Sequence, residues 1–302
     1  MPAGLDAQRS LGARWVDWLD RLPKLAVDVL TDWELTRTGA PTHGFCSLVL
    51  PVRTADGTPT MLKLSLADDV ESAYEHLALQ AWHPTSVELL RADPRRRAML
   101  LERLDPTDLR SVDDLTACQV VAETYSRLHL PALPQLDLLT DHVGGWLDDL
   151  AALPAGAPLP RRLVEHALSR GRDLVADPDS TGVIIHGDLH YENVLSADRG
   201  WVVIDPKPMS GDPHYEPAPM LWDRWDELQA GGDVAGGLRR RFATLVDTAG
   251  LDLARARDWV VVRMVLNANW TLEDAAGRPL TREQQDWITM CVTVATVIGS
   301  DW

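Results

Sequence analysis

Three cysteines, Cys46, Cys118 and Cys291, are all that this chain of 302 residues contains. Their number is odd and their spacing wide, and no CxxC pair or Cys/His cluster occurs. That excludes a disulfide framework and a zinc site of the usual spacing, and it fits a reducing cytoplasm. Positive charge is short as well: 29 Lys and Arg face 45 Asp and Glu, for a net charge of −16. A nucleic-acid partner needs the opposite excess, so that class is set aside. The acidic surplus suits a cationic ligand, although most of it serves as solvated surface. Long hydrophobic runs are missing. The longest near-apolar stretch, residues 287–299, carries three threonines and is too short to cross a bilayer. Residues 1–9 hold acid and glycine and lack the apolar core of a signal peptide. The expectation is a soluble, cytoplasmic protein with no membrane partner. Phenylalanine occurs twice and tryptophan twelve times; most of the tryptophans are expected in packing on apolar helix faces, a few in a ligand cleft. There is no internal repeat and no low-complexity tract.

What is present begins with an ordinary globular composition, 45% apolar and 25% charged, long enough for one large domain or two lobes. Leu11, Trp15, Trp18, Leu19 and Leu22 recur at helical steps until Pro23 interrupts. Strand signals follow at residues 33–36, 47–52 and 60–64, with Asp56-Gly57 as a hairpin turn. Residues 70–82 read as a helix with Val70, Tyr74, Leu77 and Ala81 on one stripe, and residues 87–90 and 98–101 as two more strands. From Asp105 the pattern turns helical: 115–129, 163–175, 219–229, 238–248, 253–273 and 281–297. Residues 153–160 form a turn-rich connector within that half. The division is residues 1–104, a small antiparallel sheet, and 105–302, mainly helical.

The run His186-Gly187-Asp188-Leu189-His190-Tyr191-Glu192-Asn193, followed by Val203-Ile204-Asp205-Pro206, carries the chemistry. Phosphoryl transfer needs a base for the attacking hydroxyl and oxygen ligands for magnesium. Asp188 is placed as the base, and Asn193 and Asp205 carry hard oxygen donors. Residues 182–185 and 201–204 read as two buried strands, expected to form one hairpin that brings base and ligands to a cleft edge. Lys63 sits inside an apolar strand, where a buried ammonium needs an anionic partner.

This pattern resembles the aminoglycoside phosphotransferases and their choline-kinase-like relatives, which read H-G-D-x-x-x-x-N in the catalytic loop. Together with Leu62-Lys63-Leu64, Leu100-Leu101-Glu102-Arg103-Leu104, Asp205-Pro206-Lys207-Pro208, Gly211-Asp212-Pro213 and residues 267–274, it is similar to the streptomycin 6-kinase and hydroxyurea kinase branch. The resemblance implies an α+β, two-lobed protein-kinase-like fold with ATP and Mg²⁺ between the lobes. It implies that Lys63 meets the nucleotide phosphates, braced by Glu75, with Glu71 as the fallback. Gly44 and Ser47 would stand in the phosphate-covering turn, which lacks G-x-G-x-x-G, and backbone groups of Glu102 and Leu104 would pair with the adenine edge, their side chains having no role. His186 and His190 brace the loop; Lys207 either touches the transferring phosphoryl group or faces solvent. Asp205-Pro206 stands where protein kinases read D-F-G, which weighs against a protein substrate.

The implied activity is ATP-dependent phosphorylation of a small cationic antibiotic by a monomer, with the 6-hydroxyl of a streptomycin-type aminoglycoside as acceptor. The alternatives are hydroxyurea or another small metabolite, or a non-enzymatic nucleotide-binding member of the fold. Guanidinium groups on such an acceptor pair with carboxylates and stack on aromatic faces. Trp225, Asp226, Trp270, Glu273 and Asp274 are the candidates, with Glu216, Asp223, Glu227 and Trp222 nearby in the sequence.

Overall fold

The structure is a computed structural model that describes residues 1–154 and 156–300, so Ala155 of the connector 153–160 lies outside the described residues. In chain order it runs α1 (Ala3–Ala7), α2 (Ala13–Asp32), β1 (Thr36–Arg37), β2 (Thr42–His43), β3 (Ser47–Arg53), β4 (Pro59–Ser65), α3 (Glu75–Trp82), β5 (Leu89–Asp93) and β6 (Ala98–Glu102). It continues with α4 (Asp114–Leu128), α5 (Leu139–Ala151), α6 (Arg161–Ala176), β7 (Val183–Ile185), β8 (Val194–Ala197), β9 (Gly200–Val203) and β10 (Met209–Gly211). Five helices close the chain: α7 (Ala218–Trp222), α8 (Trp225–Ala230), α9 (Val234–Ala249), α10 (Leu253–Ala275) and α11 (Arg282–Gly299). Two compact units result. One is Met1–Pro106 with the excursion Leu195–Lys207, which a single cut near residue 104 would leave with the other; the second is Thr107–Val194 with Pro208–Trp302.

The first unit is an antiparallel sheet in the order β1-β3-β4-β6-β5, with β2 also on β3. Its register follows from the alternation of side chains. Leu48, Leu50 and Val52 of β3 and Leu62 and Leu64 of β4 are buried in one cluster with Trp15, Trp18, Leu19 and Leu22 of α2. Their neighbours Val49, Pro51, Met61 and Lys63 therefore face the other way, into a cavity. Each buried leucine is worth about 1.5–3 kcal/mol, so slipping the register by one residue is strongly opposed, and Lys63 is held on the cavity side.

Helix α2 corrects the expected break at Pro23: it continues through to Asp32, with Pro23 in its interior. Trp15, Trp18, Leu19, Leu22, Ala26 and Val29 make one buried stripe on both sides of the proline, and that burial outweighs the backbone hydrogen bond the ring removes. Helix α3 is shorter than residues 70–82 and turned differently. It starts at Glu75 and buries Glu75, Ala78, Leu79 and Trp82, while Val70 is exposed.

In the second unit, α10 is buried on most of its circumference and packs against α11 and α6, and α4 packs against α9. The span 219–229 is two helices, because Arg224 takes a left-handed conformation (φ 51°) between them. The expected single hairpin of 182–185 with 201–204 is also corrected. Both strands form, but β7 pairs with β10 and β9 pairs with β8. The excursion is clipped to the first unit by backbone bonds: Val203 N–H to the Thr85 carbonyl (3.0 Å) and Val87 N–H to the Val203 carbonyl (2.9 Å). Among the described residues, no helix is long and apolar enough to cross a membrane.

Candidate active site

In the first unit, the cavity measures about 630 Å³ and is lined by the sheet face (Val49, Met61, Lys63, Leu101), the turn after β2 (Gly44, Ser47) and the excursion (Leu195, Ile204, Asp205). Glu75, Glu102 and Leu104 also line it. Lys63 Nζ stands 2.7 Å from each Glu75 carboxylate oxygen and 2.6 Å from Asp205 Oδ1. Glu75 is the partner, and the fallback is not needed. Burial alone pulls the Lys63 ammonium down, but the Asp205 and Glu75 carboxylates outweigh it and hold it above the ordinary range, whereas burial pushes the Glu75 carboxyl up against the pull of Lys63. Asp205 has a left-handed backbone (φ 54°), a strained conformation for a non-glycine residue, and its side chain is 34% exposed.

Lys207 Nζ lies 3.7 Å from the same Asp205 oxygen, and its side chain is 17% exposed. Burial opposes its charge, yet Asp205, Cys46, Glu75 and Asp69 together raise it. The Cys46 thiol, pushed up to about 12 chiefly by burial, donates to Asp69 Oδ2 at 3.0 Å. Gly44 does not offer its amide as the sequence suggests. Its N–H closes the turn on the Ser47 carbonyl at 3.0 Å.

Glu102 also differs from expectation. Its carboxylate accepts from Glu88 N–H at 2.7 Å and from two Arg199 nitrogens, one at 3.0 Å. Arg199 in turn donates to the Pro84 and Ser86 carbonyls at 2.9 and 3.0 Å. The side chain therefore ties the excursion to the sheet, and substitution there carries a structural consequence with no local sequence signal.

In the second unit, the loop after β7 is gripped from several sides. Gly187 adopts φ 77°, which only glycine takes without strain. Glu216, fully buried, accepts the His186 N–H at 2.5 Å and the Gly187 N–H at 3.1 Å. Burial pushes the Glu216 carboxyl up, but those bonds and His129, whose Nε2 is 3.6 Å away, keep it below the ordinary range. Arg263 donates to the Gly187 carbonyl at 3.3 Å and to the Tyr215 hydroxyl, and lies 4.6 Å over the Tyr215 ring. Asp188 is half-buried, and the Asn193 side-chain amide donates to its backbone carbonyl at 2.8 Å, which turns Asn193 Oδ1 away from that bond. His186 Nδ1 accepts the Asp188 N–H at 3.3 Å. His190 pairs with Asp223 at 3.1 Å. Burial pulls His190 down, and Asp223 with Asp188 more than restores it, so its pKa is raised.

Both histidines brace the loop, as their place in the sequence suggests. Glu216 and Asp223, grouped in the sequence with acceptor-facing acids, belong to this scaffold instead. The Tyr-Glu-Pro run at 215–217 offered no periodic signal that would have revealed the role of Glu216.

The remaining acceptor candidates lie on two helices, α8 and α10. Trp225 and Asp226 lie on α8, the tryptophan half-buried and the acid exposed. Trp270 is edge-on to Trp146 (4.8 Å between centroids) and 5.8 Å from the Arg263 guanidinium. Glu273 accepts from Asn269 at 2.6 Å and lines a cavity of about 490 Å³ together with Asp149, while Asp274 is exposed beside it. Burial, then Asp149, push the Glu273 carboxyl up. Among the described residues, no group of three or more His, Cys, Asp or Glu side chains could hold a metal ion. Magnesium at nucleotide sites takes one or two protein oxygens, phosphates and water, and Asp205 and Asn193 have the oxygen chemistry for that.

A family model described as aminoglycoside/hydroxyurea antibiotic resistance kinase matches residues 32–275. The chain is 41% identical over 283 residues to a streptomycin 6-kinase of Streptomyces glaucescens, with 91% of each chain covered. It is 36% identical over 278 residues to a hydroxyurea phosphotransferase of Kitasatospora aureofaciens, covering 87% of this chain and 77% of that one. A solved structure of a thermostable mutant of aminoglycoside phosphotransferase APH(4)-Ia, in ternary complex with ADP and hygromycin B, matches with TM-score 0.59 and 18% identity over 90% of this chain and 97% of that one. At that identity the likeness concerns the fold, the α+β protein-kinase-like arrangement of a small antiparallel sheet and a helical remainder.

Proposed function

Because the chain belongs to the aminoglycoside/hydroxyurea antibiotic resistance kinase family, we propose that it transfers the γ-phosphoryl group of ATP to the 6-hydroxyl of a streptomycin-type aminoglycoside and so inactivates the drug. The observation that carries this reading is Lys63, charged and fixed between Glu75 and Asp205 at the wall of a cavity of nucleotide size. Val49, Met61, Leu101 and Ile204 provide apolar surface for a base, and the Glu102 and Leu104 backbone lies at the same cavity for its polar edge.

In the reaction, the acceptor oxygen bonds to the γ-phosphorus, the bridging P–O bond breaks, ADP leaves and the acceptor proton passes to Asp188. Lys63 holds the phosphates. Asp205 and Asn193 would hold magnesium, which when bound neutralises charge on the phosphates. Glu216 and Arg263 keep the loop that carries Asp188 in its left-handed turn. Trp225, Asp226, Trp270, Glu273 and Asp274 are proposed to meet the cationic acceptor. The protein acts as a monomer in the cytoplasm, where ATP is available. Hydroxyurea is the second reading, favoured by the relative from Kitasatospora aureofaciens.

The test is ATP consumption in magnesium with streptomycin, hydroxyurea, other aminoglycosides and simple sugars, with mass spectrometry of each acceptor. One added phosphoryl group on streptomycin is expected. Phosphorylated hydroxyurea alone would transfer the assignment to the second reading, and no product from any acceptor would overturn both.

A further inference from the structure

We infer that Lys207 is a second phosphate-binding ammonium, which does the work that a glycine-rich loop does in protein kinases. The inference rests on the ATP reading above. Three observations support it. First, the turn after β2 has already committed its Gly44 amide to the Ser47 carbonyl, at 3.0 Å, so that donor is not aimed at a ligand. Second, Lys63 and Lys207 converge on one oxygen: Asp205 Oδ1 is 2.6 Å from the first ammonium and 3.7 Å from the second. Third, an ammonium carries three donors, and among the described residues Lys207 makes no hydrogen bond within the usual distance, although its side chain is mostly buried. A charge held so close to acids, with its donors uncommitted, is arranged for an anionic ligand.

Lys63 and Lys207 stand among the carboxylates of Glu75, Asp205 and Asp69. Were Asp205 to bind a metal, its oxygen would be shared with that ion and the two ammoniums would have donors free for phosphate. Oxygens of a polyphosphate then replace the Asp205 oxygen as their acceptors. Adenosine, which lacks phosphate, gains nothing from Lys207.

The test compares the Kd of ATP, ADP and adenosine, by calorimetry in magnesium, for the wild type, Lys207→Met and Lys207→Arg, after thermal unfolding shows which variants fold. Lys207→Met should weaken ATP and ADP about 10- to 100-fold, the range expected for hydrogen bonds to a charged group, and leave adenosine unchanged. Lys207→Arg should restore most of the loss. Equal weakening of all three ligands, or unchanged ATP affinity, overturns the inference. The unaltered protein supplies a second measurement. The chain has three lysines, Lys24, Lys63 and Lys207, and an acyl-phosphate derivative of ATP acylates amines near the phosphates. Acylation of Lys63 and Lys207 but not of exposed Lys24 is expected, and acylation of Lys63 alone overturns the inference. Failure of the wild type to bind ATP at all removes the nucleotide reading, and the inference falls with it. Intact wild-type binding with indifferent Lys207 variants removes the inference alone.

Discussion

Asp188 and Glu216 have opposite duties at the residue scale, and their substitutions should separate. Asp188 is the proposed acceptor of the substrate's proton, and a positioned base is typically worth about 10²–10⁴ in rate. Asp188→Ala should lose turnover by that factor and keep its affinity for ATP, measured by calorimetry beside a steady-state assay. A variant that turns over like the wild type ends the base assignment. Glu216 touches no reacting atom. Its two oxygens accept the His186 and Gly187 amides, and Glu216→Gln replaces one of them by a donor that faces a donor. The expected outcome is a loss of about 1–3 kcal/mol in urea unfolding, a lower kcat and an unchanged KM for ATP. Asp188, Asn193 and Asp205 could be proposed from the sequence because one spacing serves one chemistry, and Lys63 because a lysine inside an apolar strand needs an anionic partner, which the structure supplies in Glu75. Glu216, Arg199 and the side-chain role of Glu102 could not be, because each acts on backbone or charge far away in sequence, and no local pattern records such a partner.

The same limit operates at the scale of elements. Strands β3, β4 and β6 were readable from runs of alternating or apolar residues, and α4, α6, α9, α10 and α11 from their period. The sequence could not say that β7 would take β10 as its partner, since pairing is settled by which edges meet. Nor could it weigh Pro23 against the stripe that α2 buries. If that stripe alone carries the helix past the proline, Pro23→Ala, on the exposed face, should raise stability. The gain is bounded by the roughly 3 kcal/mol that separates proline from alanine in a helix interior, and thermal unfolding reads it. An unchanged or lower Tm would mean that the ring is contributing something that the helix needs.

The bridge between His190 in the catalytic loop and Asp223, between α7 and α8, belongs to this scale too. His190 is raised, so the stability it contributes is complete below its unfolded pKa of about 6.5 and is lost as pH climbs through the folded value. Asp223 is lowered, first against burial and then through His190, so its share is lost as pH falls through its depressed value. The stability gap between wild type and His190→Gln should therefore be widest in mildly acidic solution and close toward alkaline pH. Urea titrations across that range check the sign, with Asp188 and Glu192 as the other acids that His190 senses. A gap that grew with pH would refute the pairing.

At the scale of the whole molecule, net charge of −16 sets how ligands of each sign approach. A polycationic aminoglycoside is drawn in and a triphosphate is repelled, and both effects weaken within a Debye length of about 10 Å at 0.1 M salt. Raising salt from low values should increase KM for streptomycin and leave or lower that for ATP. Hydroxyurea, being uncharged, should show no such trend. Neutralising Glu273 and Asp274 together should reduce the salt effect on the aminoglycoside. If the double variant keeps the full salt slope, the attraction comes from elsewhere on the surface.

The excursion Leu195–Lys207 bears on how the chain is born. Residues 1–106 leave the ribosome before the cavity wall that carries Leu195, Ile204 and Asp205, which is made only after the 88 residues Thr107–Val194 of the other unit. At roughly 5–20 residues per second, that is several seconds in which a sheet waits with an unfinished face. Folding in the order of synthesis is closed to this protein, and a nascent chain arrested before Lys207 should not retain ATP.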